Sequence, residues 1–81
     1  MELVEQIKTF VLSNFYVANP ATLDNEASLL DAGIIDSTGV LEVVSFLEST
    51  FSIKLADDEI LPENFDSIGR IARFVARKQA T

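Results

Sequence analysis

Residues 31–51 read DAGIIDSTGVLEVVSFLESTF, and this stretch decides the fold of the chain. Gly33 predicts a turn, and Asp36 and Ser37 are both suited to cap the N-terminus of a helix. Apolar residues then recur at spacings of 3, 4, 7 and 11, which is one face of an α-helix: Val40, Val43, Val44, Leu47 and Phe51. The stretch therefore predicts a serine at the junction between a loop and a core-packed helix over residues 37–51.

The position of Ser37 has a chemical meaning. The first turn of a helix presents backbone N–H groups that have no partner within the helix, together with the positive end of the helix dipole. Both features favour a phosphate group at that end of the helix. The hydroxyl of Ser37 is therefore a candidate attachment point for a phosphodiester.

This stretch resembles the signature of acyl carrier proteins and their peptidyl and aminoacyl relatives. The resemblance covers roughly residues 3–77 and rests on Gly33, Ile34, Ile35, Asp36, Ser37 and Glu42. It implies that Ser37 carries a 4′-phosphopantetheine arm donated from coenzyme A. It also implies that Asp36 caps the helix and contributes to recognition by a phosphopantetheinyl transferase.

The pair Thr38-Gly39 departs from the pattern of that family, in which an apolar residue often follows the serine. The departure leaves Ser37 in place but leaves the identity of its partner enzymes open. A glycine inside a helix weakens it by up to about 1 kcal/mol relative to alanine. Gly39 is therefore either neutral, because it lies so near the helix end, or it allows the arm or a partner to approach the backbone closely.

The length and the missing residue types limit what the chain can do. Eighty-one residues predict one small domain, residues 1–81. The absence of cysteine and histidine excludes disulfides, Ser-His and Cys-His nucleophilic sites, and zinc sites built from those ligands. We therefore expect a protein that is not an enzyme and has neither catalytic nor metal-binding residues. The chain also lacks an apolar run of about 18 residues and a signal sequence, so we expect a cytoplasmic protein without a membrane partner.

The charge of the chain is distributed unevenly. The net charge is −7, and residues 1–66 hold all 13 acidic residues and two lysines, which gives −11. Residues 67–81 hold four basic residues and no acidic one, which gives +4. An acidic body repels nucleic acid and attracts basic protein surfaces, although acidic surfaces also simply keep small proteins dissolved.

Two further segments precede the serine. A first helix is predicted over residues 2–16, with an apolar stripe that Tyr16 closes: Leu3, Ile7, Phe10, Val11 and Phe15. We interpret the aromatic residues as core rather than as a functional aromatic box. Residues 17–35 are predicted to form a long ordered loop with a helical turn near 27–31. Five apolar residues of this loop are expected to pack onto the helices: Leu23, Leu29, Leu30, Ile34 and Ile35.

The exposed face of the helix that begins at Ser37 is a candidate docking surface for partner proteins. Its members are Thr38, Leu41, Ser45 and Glu48, with Glu42 beside them.

A short third helix is predicted over residues 58–65, capped by Asp57 and interrupted at Pro62. Ile60, Leu61 and Phe65 are expected to seal the core. The adjacent carboxylates of Asp57, Asp58 and Glu59 lack the spacing of an EF-hand, and we interpret them as an extension of the docking face rather than as a metal site.

A second Asp-Ser pair, Asp66-Ser67, is a rival attachment site. No glycine followed by two apolar residues comes before it, so we interpret it as the cap of a fourth helix. Ile68, Ile71, Ala72 and Val75 share one face of that helix. Its basic residues could indicate nucleic-acid binding, but we interpret them as a balance for the acidic helices: Arg70, Arg73, Arg77 and Lys78.

Together these features predict an all-α protein, a four-helix bundle of the acyl-carrier type with three longer helices and a short third one. The predicted function is a monomeric, stand-alone carrier that holds acyl or aminoacyl groups as thioesters for lipid, polyketide or peptide biosynthesis. The implied partners are a phosphopantetheinyl transferase, an adenylate-forming acyl or aminoacyl ligase, and acyltransferases or synthases. The alternative is a helical adaptor, of the carrier fold or unrelated to it, that binds a protein partner without a prosthetic group.

Overall fold

Four α-helices follow one another in the computed structural model, which describes residues 3–17 and 23–80. Helix α1 spans Leu3–Asn14, α2 spans Ser37–Phe51, α3 spans Pro62–Phe65 and α4 spans Ile68–Ala80, and a 3₁₀ turn at Asp57–Glu59 precedes α3. Residues 3–17 and 23–80 contain no strand, so the predicted all-α class with one short helix is confirmed. None of the helices described is long and apolar enough to cross a membrane.

Helix α1 packs against α4 and α2. Ile7 and Val11 are fully buried, and the ring of Phe10 stacks on Phe46 of α2 with 4.1 Å between centroids. The aromatic residues of α1 therefore belong to the packing between helices, as predicted. The helix ends two residues earlier than expected, and its predicted first residue lies outside the described ranges. The expectation that Tyr16 closes the apolar stripe is wrong, because its side chain lies beyond the end of the helix and is 85% exposed.

Helix α2 has the predicted bounds because its cap is local. Asp36 is extended (φ −113°, ψ −172°), and its Oδ1 accepts a hydrogen bond of 2.8 Å from the N–H of Gly39. This contact satisfies one of the N–H groups that have no partner within the helix. Behind the cap, Val43, Val44 and Leu47 are buried, so the predicted face does anchor the helix to the core.

Gly39 is explained by neither of the two alternatives raised from the sequence. It is buried, and a Cβ atom added to it would lie 2.9 Å from Cε1 of Phe15 and 3.3 Å from Cγ2 of Ile35. Because Gly39 has no side chain, Phe15, which follows α1, and Ile35, which precedes the cap, pack directly against the first turn of α2. Gly39 serves internal packing rather than the approach of a partner.

Substituting Gly39 by alanine is expected to destabilise the protein by about 1–3 kcal/mol, because overpacking outweighs the gain in helix propensity. Urea unfolding followed by circular dichroism measures the change. Ser45→Ala, on the exposed face of the same helix, is the control and should be neutral or slightly stabilising. A Gly39→Ala protein at least as stable as the wild type would contradict this account of the packing.

The loop before α2 is ordered where it is described. Leu29 and Ile35 are buried, while Leu23, Leu30 and Ile34 are half-buried against the core. The predicted helical turn lies slightly later than expected, with hydrogen bonds of 3.1 Å from Ala32 N–H to Ser28 O and from Gly33 N–H to Leu30 O. Gly33 has φ +73°, a left-handed conformation that suits glycine, so it is the turn residue that the sequence predicted.

The predicted short third helix is two separate pieces, the 3₁₀ turn and α3. Asp57 is not a cap but the first residue of the 3₁₀ turn, which Ala56 precedes without a side-chain cap. Pro62 begins α3, where its missing N–H costs nothing. Phe65 is fully buried, as expected, but Leu61 is 39% exposed and does not seal the core.

Candidate functional site

Ser37 is the first residue of α2 and is exposed to solvent. The Asp36 carboxylate holds the start of the helix through Gly39, and the carbonyl of Asp36 accepts a hydrogen bond of 2.9 Å from Val40 N–H. The serine therefore stands on a rigid helix end whose dipole favours an anion.

An apolar groove of about 310 Å³ lies beside the serine. Three segments form it, namely the loop before α2, the first turns of α2, and the connection that leads to α3. Its lining residues are Leu30, Ser37, Val40, Leu41, Ile60 and Pro62. From the sequence, Leu30, Val40 and Ile60 are predicted to be core residues, and Leu41 is predicted to be a docking residue. No local pattern indicates that the three segments meet in one groove.

Four members of the predicted docking face are exposed, namely Thr38, Leu41, Glu42 and Ser45. Leu41 is the most prominent apolar residue on this face and is 61% exposed. Glu48 differs from the expectation. It is half-buried, and its Oε2 accepts a hydrogen bond of 3.0 Å from the N–H of Leu55, so it ties the end of α2 to the connection that follows.

The three adjacent carboxylates at residues 57–59 also differ in exposure and contacts. Asp57 and Asp58 are exposed, whereas Glu59 accepts a hydrogen bond of 2.9 Å from Ala56 N–H and pairs with Lys78 Nζ at 2.9 Å. The backbone hydrogen bond from Ala56, followed by that from Lys78, lowers the pKa of Glu59 below its ordinary value. Glu59 therefore joins the 3₁₀ turn to α4, and its part in the docking face stays a prediction. Residues 3–17 and 23–80 contain no cluster of three side chains that could hold a metal ion.

The rival serine is a helix cap. Ser67 is 2% exposed, and its Oγ accepts a hydrogen bond of 3.1 Å from the N–H of Arg70 at the start of α4. A transferase cannot reach a hydroxyl that is buried in this way. The geometry agrees with the structural role predicted for this pair.

Three of the four basic residues of α4, namely Arg70, Arg73 and Lys78, contact residues in the acidic part of the chain. Arg73 makes two hydrogen bonds of 3.1 Å to the carboxylate of Glu26, and Arg70 Nη1 donates to the carbonyl of Glu63 at 3.2 Å. The hydrogen bond between Arg73 and Glu26 lowers the pKa of the glutamate and raises that of the arginine. These contacts agree with the interpretation that α4 balances the acidic helices.

Comparison with known proteins gives a consistent result. A family model described as a phosphopantetheine attachment site matches residues 5–75. D-alanyl carrier proteins of Streptococcus pyogenes, from serotypes M5 and M49, are 35% identical over 54 residues, which is 67% of this chain and 68% of each relative. The solved structure of KstB-PCP in its apo form matches with a TM-score of 0.77 and 41% sequence identity. The match covers 98% of this chain and 88% of the KstB-PCP chain.

Proposed function

Because the chain belongs to the phosphopantetheine-attachment family of carrier proteins, with 4′-phosphopantetheine as prosthetic group, we propose that Ser37 is the residue that holds the arm. One observation carries this assignment: Ser37 is exposed, begins a capped helix and borders an apolar groove. Other hydroxyls are less suitable. Those of Ser28 and Ser67 take part in internal hydrogen bonds.

The groove and the helix end both fit the chemistry of the arm. The first turn of α2 favours the negative phosphodiester, and the apolar walls formed by Leu30, Val40 and Ile60 can cover part of a flexible chain. When bound, the arm supplies a terminal thiol on which an acyl group is carried as a thioester. The protein itself contributes the rigid attachment point and the surface that partner enzymes recognise.

The attachment step requires another enzyme. The oxygen of Ser37 attacks the phosphorus that bears pantetheine in coenzyme A, a new P–O bond forms, the pyrophosphate bond breaks, and adenosine bisphosphate leaves. The serine proton goes to a base of the transferase, because this chain has no histidine or cysteine to accept it. The chain is therefore proposed to be a non-catalytic substrate and carrier rather than an enzyme.

The proposed docking surface surrounds the serine and consists of Thr38, Leu41, Glu42, Ser45 and the side chain of Asp36. These residues are exposed and combine one prominent leucine with two carboxylates. Such a surface suits partners that present an apolar pocket with a basic rim. The partners proposed are the transferase, a loading ligase and the enzymes that receive the cargo. The exposed Asp57 and Asp58 are proposed to contribute further negative charge to this recognition.

We favour an amino acid as cargo, loaded by a separate adenylate-forming ligase. Several curated relatives are D-alanyl carrier proteins and one solved relative, KstB-PCP, is a peptidyl carrier protein, which supports aminoacyl cargo over a fatty acyl chain. Tethering raises the local concentration of the cargo at each partner's active site.

Incubation with coenzyme A, Mg²⁺ and a broad-specificity transferase tests the proposal. The intact mass is expected to rise by one phosphopantetheine, and peptide mapping should locate the added mass on Ser37. Attachment elsewhere would overturn the assignment of Ser37. Absence of any mass gain with several transferases would favour the adaptor that acts without a prosthetic group.

A further inference from the structure

We propose that Asp66 is a positioning residue for the attachment of the arm at Ser37, an inference that rests on the proposed function. Asp66 lies just before α4, and its side chain holds the loop that forms one wall of the groove. Asp66 thus helps to position Ser37, although the two residues are far apart in the sequence.

Asp66 contacts three consecutive residues of the loop. Its Oδ1 accepts hydrogen bonds from Ser28 Oγ–H at 2.5 Å and from Leu30 N–H at 3.4 Å. Its backbone carbonyl accepts a third, of 2.5 Å, from Leu29 N–H. Ser28 Oγ in turn accepts a hydrogen bond of 3.0 Å from Asp31 N–H, which closes the turn. We call this set of contacts the Asp66 clasp.

The Asp66 clasp connects to the serine by two routes. The first is direct, because Leu30 is both a member of the clasp and a wall of the groove beside Ser37. The second runs through the backbone: the carbonyl of the buried Leu29 accepts hydrogen bonds from Ile34 N–H at 3.0 Å and Ile35 N–H at 3.3 Å. These two residues lead directly into the Asp36 cap of α2.

The capping of α4 does not explain this use of Asp66. Ser67 supplies that cap by accepting a hydrogen bond from Arg70 N–H. The side chain of Asp66 instead binds Ser28 and Leu30, which precede it by 38 and 36 positions in the sequence. Two other contacts hold the loop to α4, but they lie earlier in the loop, at residues 25 and 26. They are the hydrogen bond of 2.7 Å from Gly69 N–H to Asn25 O and the ion pair between Arg73 and Glu26. The side chains of Asp66 and Ser67 therefore have separable tasks, which provides a matched pair of variants.

Kinetics of the transferase reaction test the positioning role. Asp66→Ala should lower kcat/KM for attachment by about tenfold or more, because small displacements of a reacting group have effects of this order. Asp66→Asn keeps an acceptor oxygen and should recover most of the rate. Ser67→Ala, which removes only the cap of α4, and Arg73→Gln, which removes the remote anchor, should both react at nearly the wild-type rate. All variants are compared at a temperature at which circular dichroism shows them folded.

Amide hydrogen exchange gives a readout that does not depend on the arm. Asp66→Ala should accelerate exchange at Leu29, Leu30, Ile34 and Ile35 relative to the equally treated Ser67→Ala protein. If Asp66→Ala does not fold, Ser28→Ala takes its place, with the same direction of change expected.

Wild-type attachment rates in Asp66→Ala, or unchanged exchange at the four amides, would overturn the positioning role while the proposed function stands. A wild-type protein that accepts no arm at all would remove the proposed function and the positioning role together.

Discussion

Substitution of Ser37 by alanine should abolish the gain of phosphopantetheine completely, since no other hydroxyl within residues 3–17 and 23–80 combines exposure, a capped helix end and the apolar groove. The loss should be chemical rather than structural. Ser37 is exposed, and the cap of α2 comes from Asp36, so the variant should keep the wild-type circular dichroism spectrum. Intact mass after incubation with coenzyme A and a transferase measures the effect.

Ser67→Ala is the matched control, because it removes the serine of the second Asp-Ser pair. It should lose about 1 kcal/mol of stability through the missing cap of α4 and still take up the arm fully. A second control, Ser49→Ala, removes an exposed hydroxyl of the same helix that lies outside the proposed docking surface. Arm attachment that persists in Ser37→Ala, or that disappears only in Ser67→Ala, would exclude Ser37 as the site.

The largest loss of stability is expected for Phe65→Ala, at about 3–5 kcal/mol. Phe65 is 0% exposed, and its ring centroid lies 5.7 Å from that of Phe74, so its removal leaves a cavity where α3 packs on α4. A chain of this length has a total unfolding free energy of only about 4–12 kcal/mol. The variant is therefore expected to lose a large share of its stability, with a melting temperature far below that of the wild type.

Leu61→Ala is the control for that measurement, since Leu61 lies four residues earlier and the sequence predicted both side chains in the core. Leu61 is 39% exposed, and we expect its truncation to cost about 1 kcal/mol or less. Urea or thermal unfolding compares the two proteins. Equal losses for Phe65→Ala and Leu61→Ala would contradict the packing of this segment.

Features that depend on neighbouring residues were predictable from the sequence. The bounds of α2 follow from the contact of Asp36 with Gly39, three positions later, and from an apolar period that repeats within the helix. The turn at Gly33 follows from the conformational freedom of one residue. The resemblance that singled out Ser37 rests on the same short stretch.

Several differences between the sequence-based predictions and the structure arise from where elements end and from which residues meet across the fold. Tyr16 and Leu61 are apolar enough to be core residues, but the places where α1 and the 3₁₀ turn end leave them exposed. Glu48 and Glu59 were predicted as docking carboxylates from their position alone, and the fold adds internal contacts to Leu55 N–H and to Lys78 that the sequence did not indicate. The sequence indicates only that Gly39 lowers the helix propensity of α2. The structure shows that the ring of Phe15 occupies the space that a larger residue would need.

By itself, the sequence of this protein determined the helical class, the capped start of α2 and the serine placed there, because local hydrogen bonds and side-chain periodicity specify them. Only the tertiary structure decided the groove, in which Leu30, Ser37 and Ile60 meet, and the contact of Asp66 with the loop that forms its wall. The physical reason is that apolar burial is not directional. Alternation of apolar and polar residues shows which side of a helix turns inward but does not say which distant segment it will meet.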